Sequence, residues 1–275
     1  MYDLAAIVPF KDAAEMTLTC VRSLVEYGPR MAEILLVSNN SSQHELELVR
    51  AGVADFANVR VVEYNHPFQY QKINNWAVTQ TTAGTLLLLN NDTELVAESR
   101  GLLEKMYEQS QQPEVGVTGC LLLYAGGKKI QHAGIYLVSA GLADHLYARE
   151  PVARVRSAAG SPEFPYDVDQ DRPLTAVTAA VAMVTRANFD AVGGFDERFI
   201  ICGGDVDLCI RLNEAGHQTY YVGGGHILHK ESISRKRVPI PYSDFYWSYN
   251  SYIKAFDLSK GDRFLGDAAR LGGAR

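Results

Sequence analysis

The sequence predicts an α/β protein in which helices flank a mixed, mostly parallel central sheet. Apolar segments of strand length alternate with segments of helical periodicity through the first half of the chain, which is the pattern of consecutive β-α-β units. The four leucines at residues 86–89 lead directly into Asn90, Asn91 and Asp92. An uninterrupted apolar run is typical of a central strand that is covered on both faces. The polar cluster then falls at the carboxyl end of this strand, where open α/β sheets bind their ligands.

The first half of the chain has a regular order of elements. Strands are predicted at residues 4–8, 33–37, 59–63 and 85–89. The helices are predicted to follow them, between Asp12 and Gly28-Pro29 and then near residues 43–54, 73–80 and 97–109. Asp12 with Glu15 three residues later resembles a capping box for the first helix. Three strand ends thus bring Asp12, Asn39 and the 90–92 cluster to one edge of the sheet.

The pattern changes in the second half. Residues 115–124 and 129–138 predict a hairpin around a Gly-Gly turn, and residues 139–172 lack periodicity and predict a functional or flexible loop. Further elements are predicted as a strand at 174–185, a helix from Asp205 to about Gly216 and a strand at 218–222. A last helix near residues 243–257 carries an apolar stripe that we expect to pack in the core, with shallow membrane contact as the alternative. The stripe consists of Phe245, Tyr249, Tyr252, Ile253 and Phe256.

Composition bounds the class of protein. The chain has 275 residues, a net charge of -6 and a pI near 5.7, which argues against a nucleic-acid binder because such proteins are usually basic. The four cysteines form no C-x-x-C pair, so the sequence indicates neither a zinc site nor a disulfide framework. Residues 1–10 are predicted as the first strand rather than a signal peptide. No apolar run approaches the ~20 residues of a spanning helix. We therefore expect a soluble, reduced, cytoplasmic protein.

The polar cluster at residues 90–92 has two interpretations. A carboxylate beside two amide side chains suits Mg²⁺ or Mn²⁺ shared with phosphate oxygens, because these ions complete their shell with water and substrate. Alternatively, Asn90 and Asp92 form an Asx turn and cap the next helix.

Residues 39–42 supply more hydrogen-bonding side chains than a turn needs, and they could contact a base or a ribose. A polar βα loop without a ligand is the alternative. The chain has no G-x-G-x-x-G after its first strand and no G-x-x-x-x-G-K-[ST]. A metal and side chains, rather than a glycine-rich loop, would therefore hold any phosphate.

Two more candidates lie near the end of the chain. Asp205 follows a glycine pair and is expected either as the N-cap of a helix or as a side chain aimed at the sheet, whereas Asp207 and Arg211 are spaced for an ion pair. His229 is either a hydrogen-bonded histidine or an extra metal ligand. The basic residues 235–237 would neutralise a diphosphate or an anionic acceptor, or form a solvated loop.

The segments taken together resemble one family, the family-2 glycosyltransferases of the GT-A fold, especially bacterial polysaccharide and O-antigen transferases of the rhamnosyltransferase-like kind. The resemblance runs from about residue 4 to residue 235. It rests on the ordered set VPFKD, LVSNNSS, YQKINNWA, LLLLNNDTE, IQHAG, VTAAVAMVTRANFDAVGGFDERF, GGDVDLCIRL and HILHKESISR.

This resemblance implies transfer of a sugar from a nucleoside-diphosphate donor, dTDP- or UDP-linked, to a hydroxyl of a glycan or lipid-linked glycan, with Mn²⁺ or Mg²⁺. It implies Asp92 and His229 as metal ligands and Asp205 as the catalytic base. The residues implied in nucleotide-sugar binding are Pro9, Phe10, Asp12, Asn39, Lys72, Asn75, Asn90 and Asn91. A base on the acceptor side and a metal on the leaving-group side imply in-line displacement, hence inversion at the anomeric carbon.

The chain departs from the family pattern at three positions. Ser38 stands where an acidic residue commonly ends the second strand, Gly204 precedes Asp205 where Glu or Asn is common, and Asn90 replaces the first aspartate of the metal motif. These departures leave open a catalytically silent module that binds nucleotide sugars within a larger assembly. A nucleotidyltransferase is less compatible, because VPFKDAAE is not a glycine-rich, basic triphosphate loop.

The expected organisation is one GT-A domain at residues 1–257, with a nucleotide-sugar half at 1–112, an acceptor and catalytic half at 113–235 and a C-terminal helix at 236–257. Residues 258–275 are expected to form a tail or linker. Peripheral contact with the cytoplasmic face of the inner membrane, or with other transferases, is left open.

Overall fold

The structure is a computed structural model that describes residues 1–138, 142–230, 239–256 and 261–263. Its strands are β1 Tyr2–Phe10, β2 Met31–Ser38, β3 Val59–Glu63, β4 Thr85–Leu89, β5 Thr93–Leu95, β6 Val115–Tyr124, β7 Ile130–His132, β8 Ile135–Val138, β9 Leu142–His145, β10 Arg172–Leu174, β11 Val181–Thr185 and β12 Gln218–His229. Its α-helices are α1 Ala14–Tyr27, α2 Gln43–Gly52, α3 Tyr70–Val78, α4 Leu102–Ser110, α5 Val152–Ser157, α6 Arg186–Ala191, α7 Gly204–Glu214 and α8 Tyr242–Ala255.

The central sheet has the strand order β10-β12-β6-β11-β4-β1-β2-β3. Strand β4 pairs in parallel with β1 and antiparallel with β11, and all five of its residues are buried. The central position predicted for residues 85–89 is therefore confirmed. Strands β1 to β4, β6 and β12 run in the same direction, so the sheet is mixed but mostly parallel, as the sequence predicts.

Helices cover both faces of the sheet, because side chains alternate between the two faces along each strand. On one face, Leu86 and Leu88 of β4 pack in a core that includes residues of α3 and α7. On the other face, Leu87 and Leu89 pack in a core that includes residues of α1, α2 and α4. The two layers leave the carboxyl ends of the parallel strands at one edge of the sheet.

Several predicted boundaries differ from the structure for identifiable reasons. Helix α4 begins only at Leu102, because residues 93–95 form β5 and a short 3₁₀ turn, Ala97–Ser99, follows. The predicted hairpin is confirmed only between β6 and β7, since β8 pairs with β9 instead. The segment 139–172 is not wholly irregular, because it contains β9 and α5. The apolar run at 174–185 is divided between β10 and β11.

The strand predicted to end at Val222 continues as β12 to His229. Two of its three glycines are close to other backbone atoms: a Cβ at Gly223 would overlap the carbonyl carbon of Asp169, and a Cβ at Gly225 would lie 2.8 Å from the carbonyl oxygen of Glu98. The pairing of β12 with β6 shifts register between Val222 and His226 and then resumes. The glycines thus indicate close packing of a strand and not a loop.

The apolar stripe of the last helix was assigned to the core, and this is wrong for two of its members. Tyr252 is buried, but Phe245 and Tyr249 are 46% and 51% exposed. The buried face of α8 carries Asp244, Ser248 and Tyr252.

Candidate active site

The structure brings Asp92 and His229 together through the pairing of two strands. Residues 93–95 of β5 pair antiparallel with the end of β12, so that Thr93 lies opposite His229. The carbonyl oxygen of Asp92 accepts a hydrogen bond from the backbone amide of Lys230 at 2.9 Å. As a result, Oδ1 of Asp92 lies 3.0 Å from Nε2 of His229, at the carboxyl end of β4.

The second ring nitrogen of His229 has its own partner. Nδ1 lies 2.5 Å from Oε1 of Gln131, the middle residue of β7. The Gln131 oxygen accepts a hydrogen bond from Nδ1–H, so that the other ring nitrogen, Nε2, faces Asp92. Asn90 Nδ2 lies 3.4 Å from the same Nε2. A histidine oriented by a hydrogen bond on its other nitrogen is characteristic of metal ligands.

The pair fits a small divalent cation. Neighbouring ligands of an octahedral Mg²⁺ lie about 3 Å apart, since bonds of about 2.1 Å meet at a right angle. Within the described ranges no group of three or more His, Cys, Asp or Glu side chains could hold a metal, so a diphosphate and water would have to complete the coordination shell.

Asp205 lies in the first turn of α7, after Gly203, whose φ of 87° is in the left-handed region. Its Oδ2 accepts a hydrogen bond from the amide of Ala179 at 3.2 Å and its Oδ1 one from the amide of Val206 at 2.9 Å. The N-cap residue is Gly203, so the alternative of an N-cap role for Asp205 is wrong. Each carboxylate oxygen has two lone pairs and keeps one for a further proton. The predicted ion pair is confirmed, with Arg211 Nε 2.7 Å from Asp207 Oδ2.

A two-residue segment, Ala179-Ala180, connects Asp205 to the carboxyl end of β4. Ala179 donates its amide to Asp205, and the carbonyl oxygen of Ala180 accepts from the amide of Asn90 at 3.0 Å. Two peptide units extend over about 7 Å at most. The segment therefore keeps Asp205 within a short distance of the 90–92 turn.

Tyr70, at the start of α3, lies near both carboxylates. Its hydroxyl donates to the carbonyl oxygen of Ala179 at 2.9 Å. Burial raises the pKa of this hydroxyl above its ordinary value, and the charges of Asp205 and Asp92 raise it further. The charges of Asp92 and Asp205 thus both act on the hydroxyl group of Tyr70.

The loops after β1 and β2 are joined by Asp12. Its Oδ1 accepts from the amide of Ser42 at 2.7 Å, and its own amide donates to Ser41 Oγ at 2.9 Å. The capping box predicted for Asp12 and Glu15 is wrong, because α1 has no side-chain cap and the amide of Ala14 donates to Glu45 instead. Asp12 therefore fixes the geometry of the loop rather than the end of a helix.

The remaining candidates for nucleotide-sugar binding are distributed between surface and core. Asn39 is buried and its Nδ2 donates to the carbonyl oxygens of Tyr64 and His66, both at 2.8 Å. The side chain of Asn75 forms two hydrogen bonds with the backbone of Phe195. Its Nδ2 donates to the carbonyl oxygen and its Oδ1 accepts from the amide, both at 2.9 Å. Asn91 Nδ2 donates to Thr17 in α1. Phe10 is buried in the core, Pro9 is half-buried and Lys72 is exposed.

Sequence reasoning did not single out Gln131, Tyr70 or Asp244. Gln131 and Tyr70 lie inside the segments IQHAG and YQKINNWA, on which the family resemblance rests. The segments indicated the family, but they did not reveal which groups these two residues contact. Asp244 lies in a helix assigned to packing, yet its buried carboxylate accepts from the amides of Ile200, Ile201 and Cys202 at 2.8–2.9 Å.

The basic residues 235–237 lie outside the described residues. Among the described residues, no helix is long and apolar enough to cross a membrane.

Residues 5–139 match the family model described as glycosyl transferase family 2. The O-antigen biosynthesis protein RfbC of Myxococcus xanthus is 39% identical over 251 residues, which is 90% of this chain and 19% of that protein. An N-acetylglucosaminyl-diphospho-decaprenol L-rhamnosyltransferase of Mycobacterium tuberculosis is 39% identical over 69 residues, 25% of this chain and 22% of that protein. The chain thus spans about a fifth of the length of these curated relatives.

Solved structures support the fold. GalNAc-T7, solved with UDP, GalNAc and Mn²⁺, superposes with a TM-score of 0.65 at 14% identity over 92% of this chain and 50% of that chain. At this identity the likeness shows the fold alone, which is the GT-A fold that the sequence predicts.

Proposed function

Since the chain belongs to glycosyl transferase family 2 through residues 5–139, we propose that it is a metal-dependent, inverting glycosyltransferase. It moves a sugar from a nucleoside-diphosphate donor to a hydroxyl of a glycan or lipid-linked glycan. The relatives named for O-antigen synthesis and rhamnosyl transfer support bacterial surface polysaccharide as the product. We propose dTDP- or UDP-linked sugars as the donors.

The observation that carries this proposal is the arrangement around Ala179-Ala180. On one side of this segment Asp92 and His229 lie 3.0 Å apart, and on the other side Asp205 accepts the amide of Ala179. Transfer between a diphosphate and a hydroxyl needs these two kinds of group near one another: a site for the departing anion and a carboxylate that accepts a proton.

Asp205 is the proposed base. A sugar hydroxyl is a poor nucleophile until a carboxylate takes its proton as the new bond forms. The acceptor oxygen bonds to the anomeric carbon while the bond from that carbon to the diphosphate oxygen breaks, and the proton goes to Asp205. Attack and departure on opposite faces invert the anomeric configuration.

Asp92 and His229 are the residues that would hold Mn²⁺ or Mg²⁺, with Gln131 orienting His229. When bound, such an ion neutralises charge on the diphosphate as it departs. Asn90 and Asp12 border this end of the sheet and would contact the donor.

The test combines binding and turnover. The full chain is incubated with UDP-, dTDP- and GDP-linked sugars with and without Mn²⁺, and both the unfolding midpoint and the release of nucleoside diphosphate are measured. A donor that binds the folded state raises the midpoint by mass action. We expect one donor class to stabilise the protein only with Mn²⁺, and Asp205→Asn to retain this stabilisation while release falls. Asp190→Asn, a matched change at an exposed site, should leave both unchanged.

The same experiment distinguishes a second candidate. Within the part of the chain that the structure describes, one carboxylate and one imidazole meet at the proposed cation site, which favours a catalytically silent module more than a site with several carboxylates would. Such a module predicts stabilisation by a nucleotide sugar without release beyond the Asp205→Asn level. Absence of stabilisation by every donor contradicts both candidates.

A further inference from the structure

The residue before Asp205 is Gly204, and the neighbouring side chain of Gln71 leaves no room for a side chain at this position. Gly203 has a φ of 87°, but Gly204 is not in the left-handed region. A Cβ at Gly204 would lie 2.9 Å from Cγ and 3.0 Å from Cδ of Gln71, and closer still to its terminal amide. The Gln71 side chain thus occupies the volume that a side chain at position 204 would need.

Gln71 is held in place by the loop that leads to Asp205. It is 1% exposed. With its amide nitrogen turned toward the loop, Nε2 donates to the carbonyl oxygens of Phe199 at 2.8 Å and Ile200 at 3.1 Å. A buried amide with both contacts satisfied has one strongly preferred orientation, because leaving either group unpaired costs free energy.

The loop is held from two directions. From α3, Gln69 Nε2 also donates to the carbonyl oxygen of Phe199, and the backbone amide of Tyr70 donates to that of Ile200, both at 3.1 Å. From α8, Asp244 accepts the amides of residues 200–202. The backbone carbonyl groups of residues 199–200 are therefore held from the α3 side, and the backbone amides of residues 200–202 are held from α8. These residues lie immediately before Gly203.

We propose that Gln71 is the positioning residue of Asp205, replacing in space the side chain that Gly204 lacks. This inference rests on the proposed function, in which Asp205 is the base. Gln71 fills the volume beside Gly204 and fixes residues 199–200, so that the first turn of α7 presents the carboxylate at one position. A displacement of about 1 Å in a reacting group costs on the order of 100-fold in rate.

The test is a double-mutant cycle between positions 71 and 204 in the full chain. We expect Gln71→Ala to lower kcat for nucleoside diphosphate release about 10- to 100-fold, with the donor KM and the Mn²⁺-dependent stabilisation unchanged. Gly204→Asn alone should lower both kcat and the urea midpoint, because its side chain overlaps Gln71. The double variant should recover much of both losses, since the new side chain enters the vacated volume. Thr79→Ala, an exposed change at the end of α3, is the matched control.

Each outcome has a separate meaning. If Gln71→Ala lowers the urea midpoint but leaves kcat unchanged, Gln71 is merely structural and the positioning role is wrong. If the double variant is no better than the worse single variant in either measurement, the spatial replacement is wrong. If the unchanged protein binds a nucleotide sugar but releases no product, the proposed function fails, and with it the role assigned to Gln71.

Discussion

Nε2 of His229 lies 3.0 Å from Oδ1 of Asp92, although the two residues are separated by about half of the chain. The pairing of β5 with β12 determines this contact, and Gln131 determines which nitrogen faces the carboxylate. The site therefore depends on three segments that are distant in sequence. Each contributes one side chain, Asp92, Gln131 or His229, that can be replaced separately.

Asp92→Asn tests the cation site itself. Replacing the carboxylate by an amide removes the negative charge that attracts the ion, so we expect Mn²⁺ to lose its effect on donor binding and turnover to fall by about 100-fold or more. Titration of the unfolding midpoint with Mn²⁺ in the presence of the donor measures the first effect. Glu94→Gln makes the same chemical change two residues away, where Glu94 pairs with Lys230, and should retain the response. An Asp92→Asn protein with the normal Mn²⁺ response would contradict the assignment.

Gln131 tests whether orientation of the imidazole matters. Gln131→Leu removes the acceptor from Nδ1, and loss of such a partner typically weakens metal affinity 10- to 100-fold. Gln131→Glu keeps an oxygen there and should retain most of the affinity. The apparent Mn²⁺ constant of each variant is measured at saturating donor. Equal affinities for the Leu and Glu variants would show that the hydrogen bond to Nδ1 does not orient the ligand.

The fold could be predicted because its signals are local. Four leucines in a row, with Gly84 shortly before them and a polar cluster after them, indicate a buried strand from local sequence alone, and helical periodicity needs only about ten residues. The partners of polar side chains are not local. Donor contact by Asn39 and Asn75 stays a prediction. The structure adds that their amides bind backbone groups of Tyr64, His66 and Phe195, and no pattern around either asparagine predicts these contacts.

The last helix shows a second limit. Phe245, Tyr249 and Tyr252 have helical spacing, which predicts a face but not its direction. Asp244 decides the direction, because its carboxylate accepts three backbone amides and turns the side of the helix with Tyr252 inward. The hydrogen bonds of Asp244 thus determine which face of the helix is buried, and they leave Phe245 and Tyr249 half exposed.

Asp244 is accordingly expected to be important for stability. Asp244→Asn replaces one acceptor oxygen by a donor that faces amide groups, and buried hydrogen bonds to a charged group contribute about 1.5–3 kcal/mol. We expect the free energy of unfolding to fall by about 2 kcal/mol in urea titrations. Asp190→Asn, at an exposed site, is the control and should change it by less than about 0.5 kcal/mol. A fall no larger than in the control would show that residues 200–202 are held without Asp244.

The contact between buried His132 and half-buried His145 predicts a dependence of stability on pH. Their Nδ1 atoms lie 2.9 Å apart, and burial, reinforced by the charges of His145, His229 and Arg172, holds the pKa of His132 well below its ordinary value of 6.5. Below pH 6.5 the unfolded chain therefore binds a proton at this residue that the folded chain does not bind. The free energy of unfolding must then decrease as the pH falls, by up to about 1.4 kcal/mol per pH unit.

Urea titrations between pH 7.5 and 5.5 measure this slope. His132→Asn keeps a polar group near the position of Nδ1 and cannot be protonated, so we expect a shallower slope than in the unchanged protein. Some slope should remain, because burial also lowers the pKa of His226. His44→Gln, at an exposed site on α2, should leave the slope unchanged. If the His132→Asn protein loses as much stability over this range as the unchanged protein, His132 is not the group that resists protonation in the folded state.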